Sequence, residues 1–428
     1  MVKIKTTFTI LLLWLYPIQF SAGFIHAADN TAHKLYVGWS SQSITPDKPV
    51  ALAGQFNTRI SREILDPVTC TALAIETRNG NNSVETAILV SCDLSGTGDE
   101  LISEVKNILK SKLTGFDVDK LVMNATHTHT GPVLSEGRYD IPEDAIQPKE
   151  YLKFAAEQIA TAATEAWNNR KPAGMSWGLG QAVVGHNRRA VYFDPVPSSF
   201  GTGTAIMYGK TNREDFANIE GYEDHGVEML FFWNEQNKLT GIVINIACPS
   251  QETEHLTQLS ADFWHEARVE LHKRYGDEVY ILPQCAAAGD ISPHLLWRVE
   301  TEGEMLKKKG ISRRQEIGLR IANAVDQVFP YVQKDIKNEV VFNHFYDDFD
   351  LPVRMVTKEE ADQAEANAIQ QPDRASWHRR IIERYNNQDK NPYHRVRVNV
   401  IRLGDIAIAT NPFELFLDYG LRMKNQSD

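Results

Sequence analysis

The chain has little cysteine, and its cysteines do not form a motif. Among 428 residues there are four, and no two of them make a CxxC pair: Cys70, Cys92, Cys248 and Cys285. This spacing excludes a zinc ribbon and a thioredoxin-like redox motif. Each cysteine lies in or beside an apolar segment. Buried free thiols and disulfides therefore both remain open, and the sequence selects neither.

The chain also lacks basic tracts, internal repeats and low-complexity segments. Its 45 basic and 56 acidic residues give a formal net charge of -11, with no basic run to compensate. This charge argues against nucleic acid as a partner. No linker rich in glycine and serine divides the chain, so we expect one domain. A composition of 42% hydrophobic and 24% charged residues suits a large globular core.

The N-terminus carries the pattern of a targeting segment. Lys3 and Lys5 precede the apolar run Phe8–Phe20, and small residues follow it. This pattern predicts a secretory signal peptide over residues 1–28, removed on export to leave residues 29–428 as a secreted or periplasmic protein. A retained N-terminal anchor is the alternative, although the run is short and interrupted for a membrane span.

Strand-like and helical patterns alternate through the rest of the chain. This alternation predicts an α/β fold, a layered mixed β-sheet flanked by helices. The strand-like runs are 71–77, 86–91, 120–125, 227–233, 241–247, 279–283 and 396–409, and the helical ones are 99–113, 148–168, 261–274 (with Ser260 as N-cap), 313–328 and 358–369. The polar stretch 191–224 has few periodic apolar residues and predicts a loop-rich excursion of the kind that borders a site.

The segment Asn124–Pro132 is the most informative motif. Its threonines and apolar lead-in predict a strand, on which His127 and His129 project from the same side at its end. Two imidazoles at a strand terminus suit a metal site, with one as ligand and the other as a second ligand or hydrogen-bond donor. The alternative is a polar edge strand whose histidines meet water.

Two further loci follow predicted strands or turns. Arg188, in the loop Gly185–Arg189, is placed to hold a carbonyl or an anionic group by paired hydrogen bonds. A solvated charge run explains the same residues. Cys248 follows the strand 241–247, and its thiolate could bind zinc. A small buried thiol before a proline turn is the alternative.

Two more loci carry a hydroxyl and a carboxylate. Ser292 follows a turn at Gly289-Asp290 and could act as a nucleophile or as a donor to substrate. It could instead cap a helix whose first residue is a proline. Glu414 lies at a strand end, available to a metal, but Asn411 and Glu414 also fit a capping box.

Taken in order, these segments resemble the catalytic domain of the neutral/alkaline non-lysosomal ceramidases, over roughly the whole mature chain. Ala125–Pro132 is close to the ATHTHSGP signature of that family. Asn187-Arg188, Gly289–Pro293 and Pro412–Glu414 follow in the family's order, the last at its PGE position. The resemblance implies a ceramidase-like fold and hydrolysis of the amide of ceramide to sphingosine and a fatty acid.

The resemblance also implies roles for individual residues. His127 and Glu414 correspond to zinc ligands, and Ser292 corresponds to the catalytic serine. His129 and Arg188 correspond to groups that hold the scissile carbonyl. Zinc would polarise that carbonyl while bound water or the serine attacks it, and His129 and Arg188 would stabilise the developing oxyanion.

The chain departs from the family pattern in two places. Cys248 stands where the family has its second histidine ligand, which implies a mixed site with a thiolate or a metal held differently. Glu252, Glu254 and His255 are near enough in sequence to substitute. The family's tyrosine ligand and its C-terminal immunoglobulin-like domain have no counterpart before Asp428, so we expect a smaller site or a truncated reading frame.

The sequence therefore predicts a secreted, zinc-dependent hydrolase that cleaves an N-acyl bond in a small-molecule or lipid substrate, with peripheral contact to membrane lipid. A hydrolase of another amide or ester, such as a carbohydrate derivative, is one alternative. A catalytically degenerate exported binding protein is another. A narrow, deep apolar pocket would favour ceramide, and a broad polar cleft lined by tryptophans would favour sugar. The sequence does not indicate an oligomeric state.

Overall fold

The structure is a computed structural model that describes residues 30–198 and 201–427; the predicted signal peptide, residues 1–28, lies outside the described residues. The strands are β1 His33–Ser43, β2 Val50–Ala51, β3 Ile60–Ser61, β4 Thr69–Asn79, β5 Asn82–Cys92, β6 Leu121–Ala125, β7 Lys171–Gln181, β8 His186–Asn187, β9 Arg189–Ser198, β10 Gly201–Met207, β11 Phe216–Ile219, β12 Gly226–Asn234, β13 Leu239–Ile246, β14 Tyr280–Cys285, β15 Ile291–Ser292, β16 Glu339–Val340, β17 Phe342–Pro352, β18 Tyr393–Leu403 and β19 Ile406–Ala409. The helices are α1 Asp99–Lys112, α2 Pro148–Asn168, α3 Phe263–Tyr275, α4 Val299–Lys309, α5 Arg313–Val332, α6 Lys358–Gln370, α7 Ala375–Asn387 and α8 Leu417–Gln426, with short 3-10 turns at Val118–Lys120 and Pro372–Arg374.

A nine-stranded mixed sheet organises the described chain. Its order is β14-β13-β12-β7-β1-β4-β5-β6, and β16 pairs with β1 beside this path. The pairs β13–β14 and β5–β6 are parallel, and the other pairs are antiparallel. The parallel pairs lie at the two ends of the order, so each end has two neighbouring carboxyl termini from which loops emerge.

The two ends of this sheet meet in space. Ser91 of β5 donates its hydroxyl to the Pro283 carbonyl of β14 at 2.5 Å, and the Asn124 amide of β6 donates to the same carbonyl at 3.0 Å. The segments that follow β5, β6, β13 and β14 therefore lie together. Chain positions as distant as 95, 127, 250 and 290 are in this way brought to one region.

Three apolar clusters hold the layers together. One packs α1 and α2 on the half of the sheet that contains β4 and β5, and a second packs α3 and α5 on β7, β12 and β13. The third lies on the other face of the sheet and includes buried Phe342, Ile401 and Leu403 from β17 and β18. Burial of this apolar surface is the main force that stabilises the layers. The predicted α/β fold, a layered mixed sheet flanked by helices, is confirmed.

The prediction of a loop-rich excursion at 191–224 is wrong. β9, β10 and β11 form a separate three-stranded antiparallel sheet there. Its small core contains Ala190, Tyr192 and Val196, with Ile206 and Phe216 packed against them. Only a few apolar residues per strand are needed for so small a core, so the alternating pattern is too weak to recognise in the sequence.

Three local predictions also need correction. The run 396–409 is two strands, because the chain turns at Gly404 with φ 64. α3 is capped by Asp262, whose side chain accepts from the Phe263 backbone N–H, and Ser260 is not its cap. The capping box expected at Asn411 is absent from the described chain, since α8 begins only at Leu417.

The described cysteines are free thiols. None of the described helices combines the length and the apolar character needed to span a membrane.

Candidate active site

The candidate site forms where the segments after β6 and β13 cross. The Ser250 N–H donates to the Thr126 carbonyl, and the His129 N–H donates to the Ser250 carbonyl, both at 3.2 Å. These two backbone bonds bring the histidine motif against the segment that begins at Cys248. Gln251 is consequently a direct neighbour of His129.

The two histidines are close together, but not because they share a strand face. β6 ends at Ala125, and His127 has a left-handed φ of 62°. The Nε2 atoms of His127 and His129 are 3.4 Å apart. The His127 Nδ1 lies 2.6 Å from the Ser95 carbonyl, to which it must donate, so its Nε2 is left as an acceptor.

His129 is oriented by two side chains. Its Nδ1 lies 3.0 Å from Glu254 Oε2, and its Nε2 lies 3.0 Å from the Gln251 amide nitrogen. Arg188 donates to the Gln251 carbonyl oxygen at 3.2 Å, which fixes the amide orientation. Gln251 therefore donates to His129 Nε2, and His129 Nδ1 donates to Glu254. The role of His129 in holding a carbonyl stays a prediction; this tautomer favours proton acceptance instead.

A loop between β2 and β3 packs closely against the His129 ring. Gly54 has φ +96°, and a Cβ at this position would lie 2.3 Å from His129 Cγ. Arg59 is buried and donates to the carbonyls of His129 and Glu254, at 2.5 and 2.8 Å. The loop thus needs glycine to approach the ring and uses an arginine to hold both site segments.

Arg188, Tyr208 and Ser292 form one hydrogen-bonded group, which we call the donor half of the site. The Arg188 guanidinium donates to the Tyr208 hydroxyl at 3.0 Å and to the Gly289 carbonyl at 2.9 Å. The Tyr208 hydroxyl donates to Ser292 Oγ at 3.1 Å. Arg188 is 7% exposed, and its Nε has no partner, so one buried N–H remains unsatisfied.

Ser292 is not a helix cap. It lies in the two-residue strand β15, paired with β8, and is fully buried. Its Oγ accepts from Tyr208 and from the His294 N–H, the latter at 3.1 Å, so its own proton is free to be donated. Gly289 approaches the Glu414 segment so closely that a Cβ would lie 2.1 Å from the Glu414 carbonyl oxygen.

His127, His129 and Glu414 form what we call the acceptor half. Glu414 precedes α8, its side chain is 67% exposed, and its Oε1 lies 3.8 Å from His127 Nε2. Burial and the nearby His129 lower the pKa of His127, and the Glu414 carboxylate opposes that effect without reversing it. His127 is thus neutral at physiological pH, with a lone pair on the nitrogen that faces Glu414.

Cys248 does not join this group. Its buried thiol lies in the apolar cluster under α3 and α5 and donates only to the Pro249 carbonyl, at 3.5 Å. Burial raises the pKa of this thiol well above its ordinary value, which disfavours the thiolate that zinc requires. The assignment of Cys248 as a ligand stays a prediction, and its surroundings favour a structural thiol.

The residues present do not complete a zinc site. His127 and Glu414 offer two ligand atoms, whereas zinc sites use at least three protein ligands. Across residues 30–198 and 201–427, no group of three or more histidine, cysteine, aspartate or glutamate side chains is placed to hold a metal ion.

The structure adds Tyr208 and His294 to the site, and it places Glu252 and Glu254, which the sequence offered as substitute ligands, beside His294. Glu254 Oε1 lies 3.1 Å from His294 Nε2, and Glu252 Oε2 lies 3.6 Å from His294 Nδ1. Burial alone would raise the pKa of Glu254, but His129 and His294 outweigh it and lower that pKa to about 2. Burial raises the pKa of Glu252 to about 7. No sequence spacing indicates these contacts, since Glu254 and His129 are 125 positions apart.

No protein-family profile matches the chain, and no curated protein matches its sequence. Among solved structures, the chain is similar to neutral ceramidase from Pseudomonas aeruginosa, with a TM-score of 0.63 and 16% identity over 92% of this chain and 64% of that one. It is also similar to a ceramidase complexed with C2, with a TM-score of 0.60 and 15% identity over 92% of this chain and 65% of that one. The chain thus spans just under two thirds of each. It has the fold of the neutral ceramidase structures, as a divergent example.

Proposed function

We propose that the chain is a hydrolase that cleaves an acyl bond, in the first place an amide. The observation that carries this proposal is the meeting of the donor half and the acceptor half through Gln251, whose carbonyl oxygen accepts from Arg188 and whose amide donates to His129. Hydrolysis of an acyl bond needs donors for the developing oxyanion and an acceptor for the proton of the nucleophile. The similarity in fold to ceramidase structures supports the same reaction class.

In this reaction the donor half faces the carbonyl oxygen. Arg188 is held by fixed hydrogen bonds and keeps an unpartnered Nε–H, so it needs little reorganisation when negative charge develops. The single Tyr208 hydroxyl proton is donated to Ser292 and positions that residue. Ser292, whose hydroxyl proton is not used within the described contacts, acts as a further donor or as the nucleophile. His129 accepts the proton of the attacking oxygen at Nε2, where that oxygen replaces the Gln251 amide as the donor, and Glu254 stabilises the resulting imidazolium.

Zinc dependence remains part of the proposal drawn from the sequence resemblance. His127 and Glu414 are the described side chains that would contribute ligand atoms. Because they do not complete a ligand set, no step of this mechanism passes through the metal. Metal analysis of the purified protein, with and without a chelator, measures the dependence directly.

An open cavity is connected to the candidate site by two hydrogen bonds. A cavity of about 500 Å³ is lined by Glu136, Tyr139 and Asp140 among others. The Tyr139 hydroxyl donates to the Gln55 carbonyl at 2.5 Å, and the Gln55 amide donates to Glu254 Oε2 at 3.1 Å, which links the cavity wall to the site. The lining mixes polar and apolar residues and none of the lining residues is a tryptophan, so the cavity meets neither the criterion for a deep apolar pocket nor the one for a sugar cleft.

The test is an assay of purified protein on a labelled short-chain ceramide, a fatty amide, and panels of N-acyl sugars and sugar esters. Release of the free acid from at least one amide is the expected result. Faster turnover of the acylated sugars than of ceramide would favour a hydrolase of carbohydrate derivatives. Saturable binding of these compounds without release of acid would contradict the hydrolase and favour an exported binding protein.

A further inference from the structure

His294 lies between two carboxylates. Its Nε2 is 3.1 Å from Glu254 Oε1, and its Nδ1 is 3.6 Å from Glu252 Oε2. These are ion-pair distances, but the buried Nε2 and the buried Glu252 Oε2 both lack a hydrogen-bond partner. The side chain is 28% exposed. The ring is therefore held electrostatically by the two carboxylates, and its Nε2–H is not aligned on the nearby Glu254 oxygen.

The His294 ring also borders the reacting centre. Its backbone N–H donates to Ser292 Oγ at 3.1 Å, and its ring centroid lies 6.1 Å from that of Tyr208. Glu254 uses its two oxygens for different imidazoles, Oε2 for His129 and Oε1 for His294. The Glu254 carboxylate thus joins His129, in the acceptor half, to His294, which lies beside the donor half.

The charged groups around His294 favour its protonated form. The groups that face it are the carboxylates of Glu252 and Glu254 and the Tyr208 phenol. Farther from the ring, the Arg313 Nε lies 4.0 Å from Glu252 Oε2. Burial lowers the pKa of His294, but the two carboxylates outweigh burial and raise it above its ordinary value. The raised pKa enlarges the fraction of imidazolium at a given pH, and an imidazolium is suited to give a proton away.

We propose that His294 is the catalytic acid that protonates the leaving nitrogen of an unactivated alkyl amide, with Glu252 and Glu254 as positioning residues. This inference rests on the proposed acyl-bond hydrolysis. After an oxygen nucleophile has bonded to the carbonyl carbon, the C–N bond breaks and its electron pair stays on nitrogen. That nitrogen takes the proton from His294, and the neutral imidazole regains one from water.

The proposal names a substrate class because leaving groups differ in their need for a proton. An alkyl amine cannot depart as an anion, whereas a p-nitrophenolate can. The released amine becomes an ammonium at neutral pH, and the ionised Glu254 provides negative charge at the place where it forms, to which Glu252 adds above about pH 7. The arrangement therefore fits amides of alkyl amines better than activated esters.

The first experiment compares kcat/KM of wild type, His294→Gln and the exposed control His394→Gln on an N-alkyl amide and on the p-nitrophenyl ester of the same acid. For His294→Gln we expect a loss of about 100-fold or more on the amide and of less than about threefold on the ester. Equal losses on both substrates would overturn the inference while leaving the proposed function intact. A wild-type protein that hydrolyses neither substrate would contradict the proposed function, and the inference with it.

A second variant keeps the test decisive if His294→Gln does not fold. Glu252 lies near His294 and Arg313, and no contact joins it to His129 among the described residues. Glu252→Gln removes a charge that raises the pKa of His294. The alkaline limb of kcat/KM on the amide should therefore move to lower pH, with the ester profile unchanged. An unmoved alkaline limb in a variant with wild-type thermal unfolding would overturn the inference.

Discussion

The donor half and the acceptor half of the site are built in different ways. Arg188 and Ser292 are buried, and every donor half residue is hydrogen-bonded to another. In the acceptor half, Glu414 is largely exposed. The His129 Nε2 already accepts from Gln251, whereas the His127 Nε2 acceptor faces that nitrogen at 3.4 Å and a Glu414 oxygen at 3.8 Å. An acceptor that faces other acceptors is stabilised by a proton, a water or a cation between them. The fold therefore completes the donor half by itself, whereas the acceptor half depends on what it binds.

The largest effect should come from removing the centre of the acceptor half. His127→Ala deletes the nitrogen that faces both His129 and Glu414, so we expect loss of hydrolysis by about 1,000-fold or more and loss of any bound zinc. Turnover and zinc content by mass spectrometry are measured on the same sample, with exposed His394→Ala as control. Equal zinc content in wild type and His127→Ala would refute the ligand assignment.

The donor half is tested by Arg188→Lys. A lysine cannot donate to Tyr208, Gln251 and Gly289 at once, because it lacks the planar guanidinium. We expect kcat/KM on an N-acyl amide to fall by roughly 100- to 1,000-fold, as for removal of an oxyanion donor. The neighbouring Arg189→Lys, which loses the paired hydrogen bonds to Glu220 and the contact with the Phe416 ring, should retain activity. Similar losses in the two variants would argue against a specific role for Arg188.

The ion pairs of Glu254 with His129 and His294 should make the free energy of unfolding depend on pH. The pKa of Glu254 is lowered to about 2, so its contribution is fully present above the pKa of an unfolded glutamate and is lost as pH falls through about 2. At pH 7 we expect Glu254→Gln to lower the free energy of unfolding by roughly 2 kcal/mol. In urea titrations this difference should vanish between about pH 5 and 2. Exposed Glu235→Gln is the control, and a difference independent of pH would contradict the ion-pair account.

Cys248 should have the smallest effect. Its thiol is packed among apolar residues, so Cys248→Ala should cost about 1 kcal/mol of stability and leave zinc content and turnover unchanged. Thermal unfolding, metal analysis and kcat/KM measure these three quantities. If the variant loses zinc as His127→Ala does, Cys248 belongs to the acceptor half and the structural interpretation is wrong.

The sequence predicts the elements better than the contacts between them. The helix 148–168 is predicted with its observed bounds, because its apolar face repeats regularly over twenty-one residues. The strands between 191 and 224 are missed, because each carries only a few apolar residues. Strong periodicity therefore decides which elements are recognised.

For the site, residues that are predicted to be neighbours are neighbours in the structure, but the physical reason differs from the predicted one. His127 and His129 do lie together, but through a left-handed turn at His127 and not through strand alternation. Tyr208 lies in a stretch predicted to be loop, and His294 belongs to none of the motifs recognised in the sequence. Their roles depend on the meeting of the two sheet ends, which no local pattern encodes.

In the proposed acyl-bond hydrolysis Ser292 acts as a donor or as the nucleophile, and either role requires its hydroxyl. The most direct test is kcat/KM on an N-acyl amide for Ser292→Ala beside Ser111→Ala, an exposed serine on α1. We predict a loss of about 100-fold or more for Ser292→Ala, with unchanged zinc content, and wild-type turnover for Ser111→Ala. Wild-type turnover by Ser292→Ala would contradict it.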